Sequence, residues 1–119
     1  MMDKLLDFFG IVADETRLRI IGLLNQKELC VCEMCEILGL SQPKVSRHLS
    51  KLRDAGIVID SRQGQWVFYY LNVKDNVMKD LLSVIVNNKE QYPALKTDYQ
   101  KLKNRIEEHK MCHRENKEK

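Results

Sequence analysis

A chain of 119 residues that is 44% hydrophobic has material for one modest core, and two prolines and five glycines leave room for long helices. No stretch nears the roughly 18 apolar residues of a membrane span, and the acidic opening MMDKLLDFFGIVADE is unlike a secretory leader, so a cytoplasmic protein without a membrane partner is expected. The net charge of +3 is uneven: residues 1–40 hold four basic and seven acidic side chains, residues 41–75 six and three, residues 76–119 ten and seven. A basic middle suits a polyanionic partner.

Leu5, Leu6, Phe8, Phe9 and Val12 give an apolar first helix that ends between Gly10 and Ala13. Asp14 suits an N-cap with Glu15 in the first turn, and Leu18, Ile20, Ile21 and Leu24 follow at helical spacing. A short helix from Val31 to Leu38 stops at Gly39, and a longer one from Ser41 to Ala55 stops at Gly56. Ile57 to Ile59 and Trp66 to Leu71 are β-rich runs around the turn Arg62-Gln63-Gly64-Gln65, a hairpin. Both faces of its second strand are apolar or aromatic, so pattern alone does not decide which faces inward. Asn72 or Lys74 opens a helix through Asn88 with a wide stripe of Val77, Met78, Leu81, Leu82, Ile85 and Val86. Pro93 marks a break, after which Leu95, Tyr99, Leu102 and Ile106 recur at 4-3-4 spacing.

The fold class that follows is mainly α with a small β-hairpin, a winged helix-turn-helix. Residues 1–90 read as a DNA-binding and dimerisation domain, and 91–119 as an amphipathic C-terminal helix with a charged tail. The wide stripe joined to the first helix predicts a dimer interface of Leu5, Phe8, Phe9, Val77, Leu81, Leu82 and Ile85, which the 95–106 helix would extend.

Two helices joined by a short turn at Gly39 form the helix-turn-helix. On the second, Val45, Leu49 and Leu52 point to a core, while Lys44, Arg47 and Lys51 line a cationic face. Ser41, Gln42, Ser46 and His48 add hydrogen-bonding groups near its start, as groove docking requires. Lys44 stands where a capping box would carry Glu, a cation near the positive helix end that costs a few tenths of a kcal/mol, roughly, and that a phosphate would offset. Arg62, Gln63 and Gln65 at the hairpin tip fit a wing that touches the DNA backbone or minor groove.

Cys30, Cys32 and Cys35 crowd into six residues, too close for sound disulfides in a small fold, and read as metal-binding or redox chemistry. Residues three apart on a helix share a face, whereas residues two apart point nearly oppositely. Cys32 and Cys35 therefore go together, and Cys30 joins them only if the helix starts after it or its first turn unwinds. Cys32 to Cys35 is also a C-x-x-C, but the βαβ setting of a thiol oxidoreductase is missing. His109, Cys112 and His113 form a possible second ligand set that reads as a solvent-exposed tail. No nucleophile–base pair or phosphate loop is present, so the chain reads as a regulator and not an enzyme.

The stretches Ala13 to Arg19, Glu28 to Cys32, Ser41 to Leu49 and Gln63 to Val67 resemble the ArsR/SmtB family of winged-helix metalloregulators over roughly Phe8 to Asn72. The resemblance implies a homodimeric repressor that binds double-stranded operator DNA when empty, needs no cofactor to do so, and lets go when an inducer binds. The sequence Glu28-Leu29-Cys30-Val31-Cys32 is similar to the thiolate site of the family's arsenite-responsive repressors, with Cys35 as third ligand. Arsenite is then the implied inducer, and antimonite fits the same soft chemistry. Cadmium/lead sensors of the family share the Cys-Val-Cys pair but draw further cysteines from an N-terminal extension; no cysteine precedes Cys30 here. A cadmium/lead-responsive or redox-responsive repressor of the same fold is the alternative.

Overall fold

The computed structural model describes residues 2–112. Helix α1 spans Met2–Val12 and α2 Glu15–Gln26, with the Asp14 carboxylate accepting the Arg17 N–H at 3.0 Å as the N-cap. The two-residue strand β1, Leu29–Cys30, leads directly into α3, Val31–Leu38. Gly39, at φ 69°, closes α3 in the left-handed region that glycine enters without a Cβ penalty. Helix α4 covers Gln42–Asp54 between the caps Ser41 and Ala55, and β2 (Val58–Gln63) and β3 (Trp66–Leu71) form the hairpin. Helix α5 is Asn76–Asn87, and α6, Pro93–Glu107, follows a 3-10 turn at Lys89–Gln91.

The helix-turn-helix and hairpin lie where periodicity placed them. Helix α5 starts later than expected, because the Asp75 carboxylate, and neither Asn72 nor Lys74, caps it by accepting the Met78 N–H at 3.1 Å. Strand β1 was not anticipated, being too short to show alternation. It pairs antiparallel with β3, Cys30 opposite Phe68, so the sheet order is β1-β3-β2 and β3 is central. In that position both faces of β3 are covered in part, as the apolar pattern on both sides requires: Phe68 is fully buried on one, and half-exposed Tyr69 and Leu71 on the other pack against the core.

The core gathers Ile20, Ile21, Leu24, Leu29, Met34, Ile37, Val45, Leu49, Leu52 and Val58, with Leu82 from α5 and Leu102 from α6. Helix α6 thus turns Leu95 and Leu102 to its own chain, against α2 and α3, and leaves Ile106 exposed. Gly22 permits the close approach, since a Cβ there would meet the Leu95 side chain at 3.3 Å. Beside this contact Arg19 of α2 grips Asp98 of α6 with two hydrogen bonds of 2.8 Å, and donates a third, of 3.2 Å, to the Leu38 carbonyl at the end of α3. Asp98 is 2% exposed, and the bond to its carboxylate raises the Arg19 pKa further. Among the described residues, no helix is long and apolar enough to cross a membrane.

Candidate DNA-reading helix and thiol site

Val45, Leu49 and Leu52 bury one side of α4 and hold it on α2 and α3. The opposite side carries Ser41, Gln42, Arg47 and Lys51 in the open, with Lys44 and Ser46 half-exposed at its border. The Ser41 hydroxyl accepts the Lys44 N–H at 3.4 Å, so the helix is capped without a carboxylate in its first turn. Six of the seven expected α4 contacts therefore lie together on an accessible cationic face.

His48 does not. It is 9% exposed, and its Nδ1 lies 3.2 Å from Arg17 Nη1 and 3.9 Å from the Asp14 carboxylate. Arg17 also donates to the Ile11 carbonyl at 2.6 Å, so the imidazole joins the end of α1, the α2 N-cap and the reading helix. Its ring is turned into these contacts and away from the exposed cationic face. Burial lowers the His48 pKa, Asp14 opposes this, and Arg17, Arg47 and Lys44 add to it. The unfolded chain therefore takes up this proton more readily than the folded one. Stability should be complete above about pH 6.5 and decline as pH falls through that unfolded value toward the lower folded one. Urea unfolding should show His48→Gln flattening the loss between about pH 6.5 and 5.

In the wing Arg62 and Gln65 are exposed, and Arg62 donates to the Gly64 carbonyl at 3.4 Å. Gln63 is instead buried, its amide donating to the Tyr70 hydroxyl at 2.6 Å, which stitches the hairpin. Arg53 meets Asp60 at 3.2 Å and ties the end of α4 to the same hairpin.

The expected dimer face divides in the same manner. Phe9, Val77 and Leu81 are exposed, and Leu5 and Ile85 are half-exposed. Phe8 and Leu82 lie in the chain's own core and offer little to a partner. Leu6, which the pattern placed in the apolar first helix but not in the dimer face, and Val84, which it did not single out, are 58% and 60% exposed and belong to the apolar surface.

At the head of α3 the helix begins at Val31, which leaves Cys30 extended (φ −88°, ψ 168°) and outside it. Its sulfur then swings to 3.1 Å from Cys32 Sγ with no unwinding. The third sulfur of the group is Cys112, 3.4 Å from Cys30 Sγ and 3.3 Å from Cys32 Sγ. These three form the one cluster of ligand-type side chains among the described residues. Cys35, expected as third ligand, is not in it. It sits a turn further along α3, half-buried against the core. His113 lies outside the described residues. Burial pushes the Cys30 thiol up, reinforced by its sulfur neighbour Cys32 and offset in part by a backbone bond; burial and Cys32 likewise push Cys112 to about 11. The sequence pattern marked Cys112 only as part of a separate set with His109 and His113 on a solvent-exposed tail, and nothing in it joined that residue to Cys32, 80 residues away.

Residues 14–60 match the family described as bacterial regulatory protein, arsR family. The arsenical resistance operon repressor of Escherichia coli (strain K12) is 53% identical over 68 residues, 56% of this chain. The arsenic resistance transcriptional regulator ArsR2 of Pseudomonas putida is 44% identical over 90 residues, covering 74% of this chain and 78% of that regulator. The chain belongs to the arsR family of bacterial regulatory proteins. Reduced HlyU from Vibrio cholerae N16961 shares the winged helix-turn-helix fold at a TM-score of 0.66 and 32% identity, over 76% of this chain and 90% of HlyU. The chain spans little more than half the length of two of its arsenic-related relatives, 58% and 51%. The arsR-family match at residues 14–60 takes in α2, α3 and α4 with Cys30 and Cys32, and ends well before Cys112.

Proposed function

We propose that this arsR-family chain is a cytoplasmic, homodimeric repressor that grips double-stranded operator DNA with α4 and the wing and releases it when arsenite or antimonite binds at Cys30 and Cys32. The observation that carries the reading is the pair of sulfurs, 3.1 Å apart at the junction of β1 and α3. A trivalent metalloid keeps a lone pair and holds its ligands about 90° apart; at bonds of about 2.3 Å, borrowed from zinc thiolates, this sets sulfurs roughly 3.3 Å from each other. A tetrahedral zinc-like ion at the same bond length would need about 3.8 Å. The names of the arsenic-resistance relatives support the same inducer.

The junction explains how binding would reach the DNA. Cys30 ends β1, whose partner β3 is the central strand behind the wing, and Cys32 lies in the first turn of α3, which packs on α4. An ion that fixes both sulfurs acts on the reading helix and the wing together, and a coupling of about 1–3 kcal/mol is typical of such switches. No cofactor is needed for the empty form to bind. The exposed apolar residues Leu6 and Phe9 of α1 and Val77, Leu81 and Val84 of α5 supply the dimer contact, which sets the spacing of two reading helices.

The test is release of a labelled operator duplex by arsenite, antimonite, cadmium and zinc in parallel. Arsenite and antimonite should release the wild-type protein, and Cys32→Ser should hold the DNA at concentrations that empty the wild type. Release by cadmium or zinc with arsenite silent would overturn the inducer, and arsenite-driven release of Cys32→Ser would overturn the site.

A further inference from the structure

Cys112 does not hang from a frayed tail. After α6 the chain turns sharply: His109 adopts φ 56°, the Lys110 N–H reaches the Arg105 carbonyl at 2.9 Å, and the His109 N–H reaches that of Ile106 at 3.2 Å. This is the hydrogen-bond pattern of a closed helix C-terminus, here with histidine in the place usually given to glycine. Arg105 strengthens the turn, donating to the Lys110 carbonyl at 2.7 Å and pairing with Glu36 on α3. Met111 then packs against the core, so the next residue is delivered to the head of α3.

Glu33 receives it. This carboxylate is fully buried, and its two oxygens are divided between the two strands of the site. Oε1 accepts the Cys30 N–H at 3.0 Å, and Oε2 accepts the Cys112 N–H at 2.5 Å. One side chain thus sets the separation of two backbones 82 residues apart in sequence, each bearing a sulfur of the triangle.

From this geometry we infer that Cys112 is the third thiol of the inducer site, and that Glu33 is the positioning residue that holds it there. The inference rests on the reading of Cys30 and Cys32 as the inducer pair. With arsenous acid the step balances as As(OH)3 plus three thiols giving one arsenic–trithiolate and three waters. Three As–O and three S–H bonds break, three As–S and three O–H bonds form, and arsenic stays trivalent. The C-terminal segment becomes a strap that the metalloid bonds covalently to α3. Cys35 remains outside as an unreacted thiol.

The test counts protected thiols in the full-length, reduced protein titrated with arsenite, then treated with a thiol-reactive chromophore and mapped by mass spectrometry. The wild type should protect three cysteines and leave Cys35 reactive. Cys112→Ser should protect only two and bind arsenite at least tenfold more weakly, while Cys35→Ser keeps three protected and wild-type affinity. Glu33→Gln, which leaves every sulfur in place, should weaken binding while its ligand-free form still unfolds cooperatively. Loss of the third protected thiol in Cys35→Ser and not in Cys112→Ser would overturn the assignment of Cys112, and unchanged arsenite affinity in Glu33→Gln would overturn the role of that carboxylate. Failure of arsenite to protect Cys30 and Cys32 in the wild type would instead bring down the underlying inducer reading.

Discussion

Asp98→Ala should lower the stability of the folded chain by about 3 kcal/mol, because removing one partner of a buried ion pair leaves the other charge uncompensated. The carboxylate is 2% exposed and takes both 2.8 Å bonds from Arg19, which also donates to the Leu38 carbonyl. A domain of this size has a net stability of roughly 6–18 kcal/mol, so the loss is a large share of the total and corresponds to a fall in Tm of about 10 °C. The double replacement of Arg19 by Met and Asp98 by Leu should recover much of the deficit, since an apolar pair of similar volume escapes the desolvation penalty. Thermal and urea unfolding of the wild type, Asp98→Ala and the double variant measures both quantities. A loss below about 0.5 kcal/mol for Asp98→Ala would show the pair behaving like a surface contact. The variant also bears on the site, because α6 carries the turn that delivers Cys112 to α3.

Removing two cations from the reading face should have the largest effect on DNA. Arg47 and Lys51 are exposed and lie a turn apart on α4, clear of the buried Val45, Leu49 and Leu52. Replacing both with alanine should leave the unfolding midpoint nearly unchanged and weaken operator binding by about 10- to 1,000-fold at low salt. If both contact phosphates, the slope of log affinity against log salt should shrink by about 2. If either reads a base edge, affinity should fall with less change of slope and with relaxed sequence preference at one position. Fluorescence anisotropy on a duplex selected from a random pool, repeated across salt concentrations, separates the cases. Wild-type affinity in the double variant would remove α4 from the interface.

Local signals carry local features well, and the reading helix shows why. Ser41, Pro43, the Val45-Leu49-Leu52 stripe and Gly56 each act within a turn of their own position, so start, stop and buried face were all legible. His48 and Gln63 show the limit. As residue types both suit DNA, but what each touches depends on a distant partner, Arg17 across the helix pair and Tyr70 across the hairpin. Phe8 and Leu82 likewise look the same in sequence whether they fill their own core or a partner's.

The sequence by itself determined that the chain has a winged helix-turn-helix, that α4 carries a cationic face opposite its buried stripe, and that Cys30, Cys32 and Cys35 cluster at the helix before it. All of these rest on periodicity, capping and short spacings, which act through neighbours in the chain. Only the tertiary structure decided the third sulfur. Cys35 is close in sequence but held against the core by its helix face, whereas Cys112 is brought in by a left-handed turn at His109, a buried carboxylate at Glu33 and the packing of α6. Contacts across 80 residues follow from how helices pack, and no local pattern encodes them.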